Sequence, residues 1–218
     1  MTWTEVLELL EVGFQETAWM VFVSALLTAV GGLLVGVLLV LTDRGGMLPV
    51  PPLNAVLGLI VNVGRSLPFI ILLVAVIPFT RAIVGTTIGT DAAIVPLTIG
   101  AIPFFARIVE SALREVPPDV VAAATAMGAT RRQIVGKVLF REALPALVAG
   151  LTITVIALVG YSAMAGVVGG GGLGDLAIRY GYQRFETEVM IATVVALVVF
   201  VQLVQMVGDL LVRRLSHR

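Results

Sequence analysis

Five long apolar stretches, at about residues 17–41, 53–78, 92–113, 146–168 and 187–211, decide the solvent this chain folds in. Each is long enough as a helix to cross a hydrocarbon core of roughly 30 Å. Hydrophobic residues make up 59% of the 218 positions and charged residues only 13%, with a mean hydropathy of +1.08. That excludes a soluble domain and predicts an all-α, polytopic membrane protein. We read one transmembrane domain over residues 1–218, with no second domain, low-complexity tract or internal repeat.

The spans are not uniform. Gly32 and Gly36 form a small-xxx-small step that permits close helix approach, although lipid-facing packing would also accept them. Asn62, Gly64, Arg65, Ser66 and Pro68 interrupt the second span, which predicts a broken or kinked helix. Arg65 is costly against lipid, so it should lie near an interface or face protein. Pro96 and Pro103 fall inside the third span, and Arg107 and Glu110 share a helical face there and can pair. Before the first span, residues 3–16 alternate acids with apolar side chains and read as a short interfacial helix. Glu5, Glu8, Glu11 and Glu16, without a basic leader, do not read as a signal peptide. Residues 42–52 and 79–91 read as loops.

Residues 117–145, PPDVVAAATAMGATRRQIVGKVLFREALP, are the one long polar-bearing interval. Pro117 and Pro118 suit a helix start, Asp119 suits its positive end, and the Ala-rich run to Met127 propagates it. Gly128 stops it, and Thr130 with Gln133 is a capping-box pattern opening a second helix. In that helix Ile134, Val135, Val138 and Leu139 cluster on one face, away from Arg131, Arg132, Lys137 and Arg141. Pattern alone leaves two readings: a docking element and an ordinary interfacial loop.

An odd number of spans puts the termini on opposite sides. If the 117–145 interval is cytoplasmic, Arg44, Arg114, Arg131, Arg132, Lys137, Arg141, Arg213, Arg214 and Arg218 are too. The other side receives Arg81, Arg179 and Arg184. By the positive-inside rule the N-terminus is outside and the C-terminus cytoplasmic.

The missing chemistry is as informative. There is no cysteine, and the single histidine is His217 in the tail, so no metal site, cofactor site or catalytic set is expected. A net charge of zero points to no nucleic-acid partner. No GxxxxGK[ST] occurs, so the chain cannot hydrolyse ATP through a P-loop. Gly169, Gly171 and Gly174 match GxGxxG only formally and read as a tight turn or re-entrant segment. The first and fourth spans hold no ionisable group, which argues against an ion-driven cycle. What is left is a kink-rich bundle without its own energy source.

AAATAMGATRRQIVGKVLF resembles the EAA loop of type I ABC-importer permeases, with Gly128 on the family glycine and Ala122, Ala123 and Ala124 on EAA. Val138 and Phe140 fall on the family Ile and Leu, while Ala122 replaces the family Glu and Arg141 the family Pro. RSLPFIILLVAVIPFTRAIVGTTIGTDAAIVPLTIGAIPFFAR and GYSAMAGVVGGGGLGDLAIRYGYQRFET resemble the methionine-uptake branch, and the likeness covers nearly the whole chain in order. The resemblance implies a multi-pass permease of the cell (inner) membrane that forms a homodimer. Its implied partners are cytoplasmic ATP-binding-cassette subunits, an extracytoplasmic substrate-binding protein and membrane lipid. Its implied cargo is methionine, with the D-isomer and close derivatives in range.

On that footing Ala122, Ala123, Ala124, Thr125, Met127, Gly128, Ala129 and Thr130, within a coupling region of about 117–141, would enter a cleft of the ATPase. For the translocation path the small-residued end of the fourth span offers Tyr161, Ser162, Met164 and Gly166, with Met164 as gate or as a packing methionine. A permease for another small amino acid, a scaffold that only anchors the ATPase and a lipid-acting membrane enzyme are the competing readings.

Overall fold

The computed structural model describes residues 3–216, so His217 and Arg218 lie outside the described residues. The chain is helical throughout its described regular structure: α1 (Trp3–Thr42), α2 (Pro51–Ser66), α3 (Phe69–Ala75), α4 (Ile77–Val84), α5 (Thr90–Arg114), α6 (Pro118–Ala126), α7 (Arg131–Gln133), α8 (Phe140–Gly166), α9 (Gly172–Leu176) and α10 (Thr187–Ser216). Four described helices are long and apolar enough to cross a membrane, Trp3–Thr42, Thr90–Arg114, Arg131–Gly166 and Thr187–Ser216. The bent pair Pro51–Ser66 and Phe69–Ala75 passes the same test only when taken together, as a broken span or a re-entrant loop, which brings the number of spans to four or five.

That break turns the chain through 108°. Leu67 is extended, at φ −80° and ψ 127°, as a residue before proline must be, and Pro68 then starts the next helix. The sequence therefore places the break correctly. One loop and one helix boundary come out differently. The expected interfacial helix at 3–16 is the first part of a single 40-residue helix. Its apolar side has partners there, because Gly13 packs on Leu173 and Leu176, and Phe14 meets Phe200 edge-on at 5.2 Å. Residues 77–84, read partly as loop, form α4, since Pro78 falls in the first turn, where proline is tolerated.

The core of the bundle is the parallel pair α1 and α5, whose contacts advance together from Trp19–Asp91 to Asp43–Arg114. A stripe of small residues on α1 (Ser24, Thr28, Gly32, Gly36) is buried against α5. A Cβ at Gly36 would stand 2.6 Å from both the Ala106 carbonyl oxygen and Val109 Cβ, so only glycine allows this approach. The pair is tied at both ends. The Trp19 indole N–H donates to Asp91 at 3.1 Å, and Arg114 bridges to Asp43 at 2.7 Å. Asp91 and Arg114 are 23 residues apart on α5, about 34 Å of helix, which matches the thickness to be crossed.

Two apolar clusters fill the interior. One gathers Met20, Phe69, Leu72, Leu97, Leu158 and their neighbours from α1, α3, α5 and α8. The other gathers Phe105, Val109, Leu113, Ala124, Ile134, Leu139 and Leu147 at the end of α5 that bears Arg114. By contrast α10 leaves most of its side chains outside the core, with Val189, Thr193 and Gly208 buried.

Candidate functional site: a surface knuckle and a path across the bundle

The knuckle is built as the sequence predicts. Pro117 stands at the N-cap of α6 with Pro118 in its first turn. At the far end Gly128, with φ of +80°, turns the chain out of the helix. The Gly128 amide donates to the Thr125 carbonyl at 2.9 Å, and the Ala129 amide donates to the Ala124 carbonyl at 3.1 Å, the two bonds of a Schellman motif. Two residues later Thr130 and Gln133 complete a reciprocal capping box. The second helix does not end there: α7 passes through a π-helical segment, Ile134–Leu139, directly into α8.

This geometry divides the candidate coupling residues into two sets. Ala122, Ala123, Thr125, Met127, Gly128 and Thr130 are exposed, and Met127 reaches 82% exposure at the tip. Ala124 is buried and Ala129 half-buried, both against the cluster shared with α5 and α8. One face of the knuckle is thus free for a partner, while the other is continuous with the spans. The basic side chains Arg131, Arg132, Lys137 and Arg141 are all exposed, and Ile134 and Leu139 point inward.

Beside the knuckle a buried acid holds two arginines. Glu110 accepts from Arg107 at 2.6 Å and from Arg114 at 2.9 Å, so the pair expected from spacing is present and enlarged by Arg114 and Asp43. Arg107 also donates to the Asn62 side-chain oxygen at 2.5 Å, which links α5 to α2. The Arg114 guanidinium, followed by the Arg44 amide, holds the Asp43 carboxyl below its ordinary value of 3.8.

The four candidate path residues on α8 are not equivalent. Met164 is 47% exposed on the single chain. Tyr161 is half-buried and stacks on Phe69, with ring centroids 4.4 Å apart and planes within 6°. Ser162 is buried and donates to the Val159 carbonyl at 2.8 Å. Gly166 is buried against the backbone of Gly174 and Asp175, where a Cβ would collide. Tyr161 and Met164 therefore present surface, Ser162 is buried and bonded within its own helix, and Gly166 packs against α9.

The turn before α9 is pinned by α1. Glu16 accepts from the Gly172 amide at 2.6 Å, and Thr17 accepts from the Leu173 amide at 2.8 Å. Sequence reading missed this clamp, since its partners are 156 positions apart. It also missed a cavity of about 250 Å3 where the α2–α3 break meets α5 and α8. No group of acids or histidines suited to a metal ion occurs among the described residues.

A helical bundle of four long spans and a bent helix pair, with a free helical knuckle, fits the membrane subunit of a binding-protein-dependent importer. The chain belongs to that family: residues 32–218 match the model of the "Binding-protein-dependent transport system inner membrane component". It is 57% identical over 203 residues to the "Probable D-methionine transport system permease protein" of Vibrio cholerae, covering 93% of this chain and 90% of the relative. It is 44% identical to the methionine import system permease protein of Bacillus subtilis over 83% of this chain and 82% of that protein. Among solved structures, the inward-facing MetNI methionine ABC transporter superposes with a TM-score of 0.95 at 53% identity, over 99% of both chains.

Proposed function

We propose that this chain is the permease subunit of an ATP-driven methionine importer, with D-methionine and close derivatives in its range. Two copies form the translocation path, separate ATP-binding-cassette subunits supply the work, and an extracytoplasmic binding protein delivers the cargo. The N-terminus lies outside and the knuckle inside, in keeping with the bias of basic residues. The names of the relatives support the cargo, and the superposition on a methionine transporter supports the assembly with an ATPase.

The observation that carries the coupling role is the double-sided knuckle. Its exposed rim of Ala122, Ala123, Thr125 and Met127 admits close approach by a partner surface. Its inner face, through Ala124, shares one apolar cluster with Val109, Leu113, Ile134, Leu139 and Leu147. Well-packed interiors transmit displacement instead of absorbing it. A movement imposed on α6 by closure of the ATPase is therefore passed to α5 and α8 as rigid-body rocking, which gives alternating access. Met164, flexible and exposed at the end of α8, closes the path against its symmetry mate, with Tyr161 beside it.

The test is reconstitution. The purified chain should bring down a P-loop ATPase, and proteoliposomes holding both, with the binding protein outside, should accumulate methionine only when ATP is hydrolysed. Uptake without nucleotide, or no ATPase in the purified complex, would remove this reading.

A further inference from the structure

Arg65 stands at the middle of the membrane-crossing bundle. Neighbouring Gly64 lies against Pro103, one residue from the centre of α5, and the cavity beside Arg65 touches Gly100 and Phe104 of the same helix. The tied ends of α1 and α5, at Trp19–Asp91 and Asp43–Arg114, fix that centre as the bilayer midplane. A guanidinium at this depth is costly unless it has a partner or a wet site to face. Yet among the described residues no ion pair and no side-chain hydrogen bond is formed by Arg65; Asn62, one turn earlier on α2, accepts from Arg107, and Glu110 of α5 is held by Arg107 and Arg114. Broken helices persist in membranes where the break lines a cavity, and this one does.

We propose that this cavity holds the transported amino acid part-way across the membrane. The Arg65 guanidinium takes its α-carboxylate, and the rings of Phe69, Phe104 and Tyr161 take its apolar side chain; this rests on the importer reading above. Each part follows from the chemistry on the wall. A planar guanidinium matches a carboxylate through two parallel hydrogen bonds. The Phe69 and Tyr161 rings, already stacked, give a flat apolar wall, and thioether sulfur packs well at ring edges. No acidic side chain lines the cavity, so a basic amino acid finds nothing there to offset its second cation. At about 250 Å3 the space suits a single small molecule, and exposed Arg65 leaves it open on the single chain.

The test uses the complete importer in proteoliposomes, hydrolysing ATP, with a diazirine analogue of methionine that keeps its α-carboxylate. Illumination should label peptides carrying residues 65–72, 100–104 or 161. Methionine should suppress that labelling, and 3-(methylthio)propylamine, which lacks the carboxylate, should not. R65Q should reduce both labelling and uptake by at least about tenfold, the lower end for loss of a charge-assisted pair, and R65K should restore part of both. Labelling confined to other segments, or R65Q uptake equal to the unmodified importer, overturns the proposal. If R65Q fails to retain its ATPase subunits, the labelling pattern of the unmodified importer decides. An unmodified importer that takes up no methionine overturns the importer reading itself, whereas normal uptake with the label elsewhere overturns this proposal alone.

Discussion

The amide of Ala129 donates to the carbonyl of Ala124 at 3.1 Å, and the ring it closes sets the shape of the knuckle. The geometry depends on Gly128, whose φ of +80° lies in the left-handed region that only glycine enters freely. Nothing stands within 4 Å of a Cβ built there, so a substitution meets no clash and suffers only backbone strain. G128V should therefore loosen the end of α6 by about 1–2 kcal/mol. Hydrogen exchange at the amides of position 128 and Ala129 should quicken by roughly 5–30-fold, with the spans unchanged. Unaltered exchange would show that the turn is not held by these bonds.

Gly36 makes the opposite kind of demand. Its Cα faces the Ala106 carbonyl and Val109 at a separation that leaves no room for a methyl group. G36V should lower the stability of the α1–α5 pair by about 1–3 kcal/mol through overpacking. Gly58, with open space around it, provides the control, and G58V should leave the unfolding temperature in detergent nearly unchanged.

The tie between Asp43 and Arg114 is pH-dependent in a defined direction. The Asp43 carboxyl is held below its ordinary 3.8, so its contribution is complete above that value and disappears as pH falls through the lowered one. The difference in unfolding temperature between the native chain and D43N should be constant near neutral pH and close below pH 3.8. Because Asp43 is solvent-accessible, that difference should be small and shrink with salt. A gap that persists unchanged at acid pH would mean the carboxylate is not what Arg114 holds.

Met164 is tested by leak. In proteoliposomes containing the assembled importer, M164A should raise ATP-independent passage of methionine by several-fold if the side chain seals the path. Unchanged passage together with unchanged stimulation of the ATPase would mark Met164 as a packing residue.

What the sequence revealed, and what it hid, follows from how local each signal is. The two-helix knuckle was legible because prolines, Gly128 and the Thr130–Gln133 box act within a few residues of themselves. The break at Pro68 and the glycine face at Gly32 and Gly36 were legible for the same reason. The unbroken run of α1 was not, because its first turns are held by α9 and by Phe200, far away in the chain. Nor could spacing show that Gly166 turns toward α9 while Tyr161 turns toward Phe69. The Arg65 cavity is assembled from α2, α3, α5 and α8, and no local motif announces such a meeting.

The central claim is that work enters through the exposed rim of α6. It is tested most directly by A123R, since Ala123 is exposed while its neighbour Ala124 holds the core. In proteoliposomes with ATPase and binding protein, methionine taken up per ATP hydrolysed should be measured beside the unmodified importer. The account predicts continued hydrolysis with uptake near background and a fully folded bundle. Uptake per ATP equal to that of the unmodified importer would contradict it.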